Sequence, residues 1–452
     1  MLRAEGSRDS IPEELDLFNI PSTESAVEQI EWVDIKPSTP FDQASGAPVN
    51  FHIPGDGSKY IDLSRSMLYM SCILYNEDKE STAVNDVKAI VTNMPLHTIW
   101  KQVDVMLNGV KVSSKTDNYG YKALMETLLY YDKTTKQSQL QSAGYYKDRA
   151  GTYMDLVEFP REDIQSFQKG FSDRHERFSF LGSDVTGPLH ADVCQPHRLL
   201  LNGVSVDLSL YFNKQDFYML YAKDVTEKHN FRIDDIYFRP CMVTVNPSVM
   251  AAHAQLLKQM PAQYPFVRTE MSRFVLPSGT RSFSENVFGN ILPDMLLIAF
   301  VKEASYEGDK YKNPFNFVLS KISGLRVMVD GESTPYQRGY DRFKQADANA
   351  YNKNKTAGGN VTGYYGLFQG LDKDGADKGS DITFRDYEAG GYALFPFQLQ
   401  SNLSKGKFPL MRSGELTVEG RFNEPLAESL VCLVMTKSSD MYTIDESRRV
   451  TV

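Results

Sequence analysis

The chain is 452 residues long, has a formal net charge of −9 and contains 26 Phe and 25 Tyr. That length accommodates two domains or three small ones, and the many aromatic and β-branched residues favour strands over helices. Because no basic stripe accompanies the acidic charge, direct sequence-specific binding of nucleic acid is not expected.

The cysteines and the N-terminal residues predict a protein that is not secreted. Cys72, Cys194, Cys241 and Cys432 are widely scattered, and three of them lie in apolar, strand-like runs. This is expected for buried free thiols in a reducing compartment. Residues 10–17 are polar and acidic, unlike a signal peptide, and no apolar run approaches membrane-spanning length.

Residues 1–45 predict an extended N-terminal arm. They show little hydrophobic periodicity and contain Pro12, Pro21, Pro37 and Pro40. We expect such an arm to become ordered only against a neighbouring molecule.

Residues 46–222 predict a first β-unit in which short apolar runs alternate with turns. Asn108-Gly109 and Asn202-Gly203 are predicted structural hairpin turns, since Asn-Gly is a strong hairpin signal. The run Val204–Phe212 alternates strictly and predicts a half-buried strand after the second turn. Apolar residues at helical spacing predict one amphipathic helix over 118–131.

Residues 223–452 predict a second β-unit, joined to the first near 221–230, where charged residues interrupt the apolar pattern. Asn246-Pro247 predicts a helix that ends by Pro261, with Asn as the cap. The polar region 337–381 predicts a long exposed excursion with a short strand near Tyr364–Phe368. Asp330-Gly331 is another predicted hairpin turn, and strands are predicted at 274–276, 295–301, 315–319, 325–329, 392–399, 415–422 and 430–435.

Two short phrases recur in the same order in both halves. Val105–Gly109 returns 222 residues later as Val327–Gly331, and Leu208–Asn213 returns 210 residues later as Val418–Asn423. With about eight short strands in each half, the predicted fold class is all-β. The economical architecture is two consecutive eight-stranded jelly rolls with a few short helices and long loops.

The best metal-like cluster is His190-x-Asp192-x-Cys194-x-x-His197. A strand would place the first three side chains on one face, and zinc accepts all these ligand types. However, Pro196 interrupts the strand and no second ligand pair has a usual spacing, so the end of an alternating strand is the favoured interpretation. No metal site is predicted.

Other motifs also favour plain structural interpretations. Residues 372–377 resemble a calcium loop but fail the EF-hand spacing, and Gly55–Lys59 lacks the spacing of a phosphate-binding loop. No arrangement of Ser, His, Asp or Cys marks a catalytic site. The sequence therefore predicts a protein that is not an enzyme and needs no cofactor.

Motifs spread over almost the whole chain resemble the double jelly-roll major capsid proteins of Polinton (Maverick) elements and adintovirus-like DNA viruses. The chain departs from that pattern at Gln263, Asn290 and Ile291. The motifs are Glu14–Phe18 with Ile20-Pro21, Tyr60–Ser64, Tyr119–Ala123, Glu126–Tyr131, Gly187–Asp192, Leu200–Val204, Tyr264-Pro265 with Val267-Arg268, Asn286–Gly289 with Leu292-Pro293, Lys312–Phe317, Gly390–Phe395, Ile444-Asp445 and Arg448–Val450.

The resemblance implies a hexon-like structural protein of the virion that is made in the host cytoplasm or nucleus. It implies a homotrimer that forms pseudo-hexagonal capsomers of an icosahedral shell. Neighbouring capsomers and a minor capsid or penton protein are the implied partners. The doubled β pattern agrees, because a closed heterologous ring of three such chains presents nearly equivalent lobes.

Two other classes of protein stay open on the sequence. A carbohydrate-binding or carbohydrate-active β-sandwich protein is the main alternative, and it is supported by analogy of fold alone. A metal-dependent jelly-roll enzyme that uses His190, Asp192 and His197 is the other.

Overall fold

A computed structural model describes residues 11–76, 87–114, 117–151, 154–158, 168–179, 182–288, 291–319, 322–335, 340–341, 361–375, 378–400 and 408–452. Its strands are β1 Val27–Trp32, β2 Val49–Ile53, β3 Lys59–Asn76, β4 Ala89–Val91, β5 Trp100–Leu107, β6 Val110–Lys111, β7 Ser183–Pro188, β8 Val206–Phe212, β9 Met219–Tyr221, β10 His229–Val245, β11 Ala262–Leu276, β12 Ser282–Phe288, β13 Met295–Lys302, β14 Ile322–Val329, β15 Glu332–Ser333, β16 Tyr340–Asp341, β17 Leu394–Gln398, β18 Leu416–Phe422, β19 Leu430–Ile444 and β20 Val450–Thr451.

The helices of the described part of the chain are short. They are α1 Pro95–Thr98, α2 Tyr119–Tyr130, α3 Lys133–Lys136, α4 Lys169–Ser179, α5 Gln215–Tyr218, α6 Pro247–Leu257, α7 Glu303–Glu307, α8 Val361–Gln369 and α9 Phe384–Ala389, with 3-10 turns at Glu13–Leu15, Gln139–Ala143, Leu156–Glu158 and Asp192–Cys194. Among these, no helix is both long and apolar enough to cross a bilayer.

The strands form two jelly rolls with the same topology, which confirms the predicted fold class. In the first, the sheets run β1-β10-β3-β7 and β2-β8-β5-β6, and in the second they run β11-β19-β13-β17 and β12-β18-β14-β15. Strands in matching positions follow the same order along the chain. The additions differ: β4 pairs with β9 in the first unit, whereas β16 and β20 add to the sheets of the second.

The repeated phrases occupy equivalent places in the two units. Val105 on β5 pairs with Leu208 on β8, and Val327 on β14 pairs with Val418 on β18. Asn108-Gly109 links β5 to β6 with φ values of 46° and 77°, and Asp330-Gly331 links β14 to β15 with 52° and 84°. Two consecutive positive φ values define the two-residue hairpin turn that Asn-Gly and Asp-Gly favour.

The side chains at the two turns also make the same hydrogen bond. The backbone N–H of Ser205 donates to Asn108 Oδ1 at 2.7 Å, and that of Glu415 donates to Asp330 Oδ1 at 2.8 Å. Each donor lies directly before the strand that pairs with the hairpin. An Asn or Asp at this position therefore stabilises the turn and also holds the residue at which the neighbouring strand begins.

Asn202-Gly203 forms a turn, but the predicted hairpin around it is wrong. Leu200 on the preceding side bridges to Ile61 of β3, whereas β8 on the following side pairs with β2 and β5. Gly203 has a φ of 76°, so this glycine supplies the left-handed backbone of the turn. The turn carries the chain from one sheet to the other instead of joining two paired strands.

The strand pairing also places the boundary between the two units later in the chain than the sequence predicts. β10 lies wholly within the predicted second unit, yet it pairs with β1 and β3 of the first. A bulge between Ile233 and Asp235 shifts the strand register, so the buried positions change phase along the strand. Because of that shift and the charged residues beside it, the apolar residues of β10 do not alternate with a single period of two. The connection between the units is α6, whose cap Asn246 accepts from the Ser248 N–H at 2.9 Å as predicted.

Part of the predicted arm is also a strand. β1 pairs along the edge of β10, and Ile35 adds a further bridge to Phe238. Most side chains of β1 are exposed, so the strand is held by backbone hydrogen bonds and has no alternation for the sequence to reveal. Residues 11–26 precede it and include no strand.

The described parts of the predicted excursion are not an exposed loop. The predicted strand near Tyr364–Phe368 is wrong, because α8 covers these residues and buries Leu367 in the second core. Its apolar residues recur at helical spacing, which favours a helix. Residues 336–339, 342–360 and 376–377 of this region lie outside the described residues. The predicted strand at 315–319 is likewise wrong, since Phe317 makes only isolated bridges to Gly391 and Tyr392.

Candidate functional site: the seam between the jelly rolls

Helix α2 belongs to the first unit but packs into the core of the second. Leu124, Leu128 and Leu129 are nearly fully buried and join the cluster that contains β13 and β19 of the second unit. Their helical spacing is the pattern that predicts this helix, which is confirmed at Tyr119–Tyr130. We define the seam as the contact of α2 and its neighbours with the second jelly roll.

An ionic cluster lies beside these leucines on α2. It comprises Lys122, Glu126, His190, Asp192 and Lys437. Glu126 Oε2 lies 2.8 Å from His190 Nδ1, and Lys437 Nζ donates to Glu126 Oε1 at 2.8 Å. Lys122 Nζ donates to Asp192 Oδ1. All five side chains are buried or nearly so, and charges are buried in proteins only when they are paired.

Both jelly rolls contribute to the ionic cluster. Lys437 lies on β19, and the backbone N–H of Thr269 on β11 donates to Asp192 Oδ2 at 2.9 Å. The Ser114 hydroxyl donates to the same oxygen at 2.7 Å. Separating the units would therefore remove Lys437 from Glu126 and the Thr269 N–H from Asp192.

The electrostatics of the ionic cluster favour the charged forms of Glu126 and Lys437. Burial alone raises the pKa of Glu126, but Lys437, His190 and Lys122 outweigh it and hold that pKa well below its usual range. Burial lowers the pKa of Lys437, and the Glu126 carboxylate more than reverses that shift. Nearby His97 is uncharged, because burial and the neighbouring His190 hold its pKa well below the usual value.

The structure does not bring all the residues of the possible metal site together. His190 and Asp192 lie in the ionic cluster, where the Glu126 carboxylate pairs with His190 Nδ1 and where Lys122 and the Ser114 hydroxyl donate to the Asp192 oxygens. His197 is exposed, and burial raises the pKa of the Cys194 thiol to about 12. Among the described residues, no group of three or more His, Cys, Asp or Glu side chains could hold a metal ion.

Two buried lysines satisfy the carboxyl end of α2. Lys136 Nζ donates to the Leu128 carbonyl at 2.8 Å, and Lys373 Nζ donates to the Leu129 carbonyl at 2.6 Å. Positive charge at a helix C-terminus interacts favourably with the helix dipole and its unpaired carbonyls. Burial nevertheless lowers the pKa of Lys136 to about 7. One lysine comes from each unit, so this end of α2 is also part of the seam.

The C-terminal segment joins the second unit to two predicted hairpin turns of the first. Asn108 Nδ2 donates to the Arg448 carbonyl at 2.7 Å, and Arg448 Nε donates to the Asn202 carbonyl at 2.7 Å. A methyl group added at Gly203 would meet Arg448 Nε at 3.4 Å. The turn residues therefore contribute to the contact between the units as well as to the hairpins.

Sequence reasoning missed Lys122, Glu126 and Lys437. The signal available was a Lys and a Glu four residues apart in a helix that is otherwise strongly apolar. Such a pair is normally interpreted as a solvated face. Its partner Lys437 is 311 residues from Glu126, so no local pattern connects the two.

The surface carries two exposed apolar features away from the seam. Leu17, Phe18 and Ile20 of the N-terminal segment are at least three-quarters exposed. In the second unit, a groove of about 500 Å³ is lined in part by Ile291 and Met411, whose side chains are also largely exposed. Exposed apolar groups of this kind are typical of surfaces that contact other molecules.

Two jelly rolls in one chain define the double jelly-roll class, and solved viral structures share this fold. A chain of the Sputnik virophage matches over 100% of this chain and 93% of its own length, with a TM-score of 0.64 and 11% identity. A chain of the PBCV-1 virus capsid matches over 96% and 99%, with a TM-score of 0.56 and 9% identity. The Faustovirus major capsid protein matches over 94% and 92%, with a TM-score of 0.52 and 8% identity.

In sequence, the uncharacterised protein F54H12.2 of Caenorhabditis elegans is 22% identical over 444 residues, which is 95% of this chain and 98% of that protein. No protein-family model matches the chain. The similarity to solved structures therefore establishes the fold over the whole length.

Proposed function

We propose that this chain is a major capsid protein that builds the icosahedral shell of a DNA virus or a virus-like element. The observation that carries the proposal is the pair of jelly rolls with identical strand order, which spans the whole chain and matches the fold of viral capsid chains. Its buried seam supports a structural role, because it fixes the two lobes relative to each other. The role proposed is not enzymatic.

The assembly unit proposed is a homotrimer that forms a pseudo-hexagonal capsomer. Three copies of two similar lobes give a ring with nearly sixfold outline, and a heterologous contact closes if its rotation is right. Neighbouring capsomers and a minor capsid or penton protein would be further partners in the virion. The exposed apolar residues Leu17, Phe18 and Ile20 suit a segment that contacts another molecule.

The finer placement with the Polinton and adintovirus-like group rests on sequence motifs. Several of these motifs contain residues of the seam: Glu126 begins one, Asp192 ends another, and Arg448 begins a third. These motifs therefore include contacts that hold the two lobes together. Synthesis in the host cytoplasm or nucleus belongs to the same proposal.

The proposal is tested by expressing the full chain and measuring its mass by light scattering after size exclusion. We expect a stable trimer, and negative-stain images should show pseudo-hexagonal particles or closed shells. A protein that stays monomeric at high concentration and forms neither would overturn the proposal. A variant lacking residues 1–26 is a useful companion, because it removes the exposed apolar segment and leaves β1 in place. It should still form the trimer.

A further inference from the structure

The outer face of one sheet in the second unit is covered by the first unit. Lys437 of β19 reaches Glu126 of α2 and pairs in register with Met295 of β13, so these two strand residues share the outer face. Side chains two residues apart lie on the same face of a strand. Leu297 and its partner Met435 therefore lie on that face too, and both are 0% exposed. Because the leucines of α2 join the same apolar cluster, the first unit covers this face of the second.

The matching face of the first unit is partly exposed. β3 and β10 hold the places of β13 and β19 in the strand order, and Tyr69 of β3 pairs with Tyr237 of β10. Leu68 and Met70, on either side of Tyr69, point into the core and are 0% exposed. The outward side chains, in contrast, all keep some exposure. We define the tyrosine face as these outward side chains: Met67, Tyr69, Ser71, Ile73 and Tyr75 of β3, and Arg232, Asp235, Tyr237 and Arg239 of β10.

The tyrosine face has the composition of a contact between separate proteins. Tyr, Met and Arg are enriched where folded chains meet, and Tyr and Arg often supply much of the binding energy there. The rings of Tyr69 and Tyr237 stack with centroids 4.2 Å apart and planes 15° apart. Lys36 and Arg239 each lie 5.2 Å from the centre of the Tyr237 ring, and Arg239 Nε donates to Asp34 at 2.6 Å. Side chains that are already held in place lose little entropy when a partner covers them.

A closed ring of three copies contains two kinds of contact between jelly rolls. Within each chain, the first unit covers the outer sheet face of the second, and this contact is the seam. Between chains, the second unit meets the first unit of the next copy. Because the two units share their strand order, repeating the geometry of the seam brings that second unit against the outer face of β3 and β10.

We propose that the tyrosine face binds the second jelly roll of a neighbouring copy of this chain. The inference rests on the proposed trimer and names the surface that forms it. The two outer faces differ because they are covered at different times. The face of the second unit is covered as the chain folds, so it can be aliphatic. The tyrosine face meets water until copies associate, and a large aliphatic patch there would promote aggregation of the free chain.

The test is photo-cross-linking of the full chain with benzoylphenylalanine in place of Tyr75, at one end of the tyrosine face. We expect products of two or more chain masses on a denaturing gel, with links from position 75 to peptides between β11 and β20. Mixing isotopically heavy and light chains shows that each link joins two copies. The matched control carries the same replacement at Tyr211, which points outward from the other sheet of the first unit. It should give no such link between copies.

Two variants measure the contribution of the tyrosine face to association. Tyr237→Ser removes one ring of the stacked pair, and Tyr75→Ser removes a ring outside that pair, so the second variant is informative even if the first is unstable. Each should weaken association roughly tenfold or more, the effect of losing a well-packed aromatic anchor. Tyr211→Ser should leave association unchanged. Sedimentation velocity over a dilution series gives these values.

The outcomes separate this inference from the proposed capsid role. A parent that forms trimers but gives no link from position 75 to the second unit of another copy overturns the inference and leaves the capsid role standing. The same holds if Tyr237→Ser and Tyr75→Ser both fold and associate as the parent does. A parent that stays monomeric at high concentration overturns both.

Discussion

The two jelly rolls share their strand order but differ in one connection. In the first unit, the chain between β6 and β7 forms α2, α3 and α4, and in the second unit the equivalent connection between β15 and β17 contains β16, α8 and α9. Both connections begin at one of the repeated hairpins. The sheets are therefore the duplicated part of the molecule. The connection between the equivalent strands is the part that differs between the two units.

This difference explains how two similar units form one structure. The connection of the first unit sends α2 into the core of the second, and the connection of the second returns Lys373 to the carboxyl end of α2. Nearby, Lys147 donates to Asp386 at 2.9 Å and the Tyr392 hydroxyl donates to the Asp148 carbonyl. The two hairpins can keep the same structure because the connections that follow them differ and provide the contacts between the units.

The largest expected effect comes from Lys437→Met, which leaves Glu126 buried without its charged partner from the second unit. Loss of one partner of a buried pair costs about 3–5 kcal/mol of stability. We expect a loss of this size in the free energy of unfolding by urea. The double variant Glu126→Leu with Lys437→Met should recover much of it, because no charge of that pair is then left unpaired.

Lys36→Met is the matched control, since Lys36 pairs with Asp235 at 2.6 Å but both side chains are about half exposed or more. It should cost less than about 1 kcal/mol. Equal losses for Lys437→Met and Lys36→Met would contradict the conclusion that the ionic cluster holds the seam.

Leu129→Ala tests whether α2 supports the second core. Leu129 is 0% exposed and packs in the cluster of the second unit, so we expect a loss of about 2–5 kcal/mol from the cavity it leaves. Hydrogen exchange should become faster at β13 and β19. Leu208→Ala is the control, because Leu208 lies in the core of the first unit. If the two variants loosen the same strands, α2 is not a specific support of the second unit.

The sequence predicts what depends on local chemistry. The two hairpin turns, α2 and α6 follow from Asn-Gly or Asp-Gly pairs, helical spacing and an Asn cap, each of which acts within a few residues. β10 is missed because a bulge changes the phase of its buried positions, and β1 because it is an exposed edge. Neither strand therefore shows an alternating pattern of apolar and polar residues in the sequence.

The candidate site is predicted only in part, for a related reason. His190 and Asp192 stand out in the sequence as possible ligands, and the structure places both in the ionic cluster with different chemistry. Their charged partners are Lys122 and Glu126 on a helix far along the chain and Lys437 on β19. Contacts between distant segments have no local signature, so the sequence reveals the residue types but not their partners.

Lys136 should make stability depend on pH. Burial lowers its folded-state pKa to about 7, below the value of 10.5 that applies to an unperturbed lysine. Between these values the unfolded chain binds more protons, so this group makes the protein more stable as the pH rises, by at most about 1.4 kcal/mol per pH unit. We expect the difference in unfolding free energy between the parent and Lys136→Met to shift in favour of the parent from pH 7 to pH 9. Lys133→Met, at an exposed lysine of the same helix α3, should show no such shift.

The smallest expected effect tests the equivalence of the repeated hairpins. Gly109 and Gly331 have φ values of 77° and 84°, and a methyl group added at either would meet nothing within 4 Å. Replacement by Ala therefore introduces backbone strain without a clash, which costs about 1–2 kcal/mol. Gly109→Ala and Gly331→Ala should lower the unfolding free energy by the same amount, within about 0.5 kcal/mol.

Gly57→Ala is the control for the hairpin pair, since Gly57 is equally open but lacks a positive φ. It should change stability by no more than about 0.5 kcal/mol. A much larger loss for Gly109→Ala would show that the two turns are not equivalent. The contact of Asn108 with the Arg448 carbonyl would then be the first place to look. Asn108→Asp separates the two explanations: it keeps the acceptor for Ser205 and removes the donor to the Arg448 carbonyl.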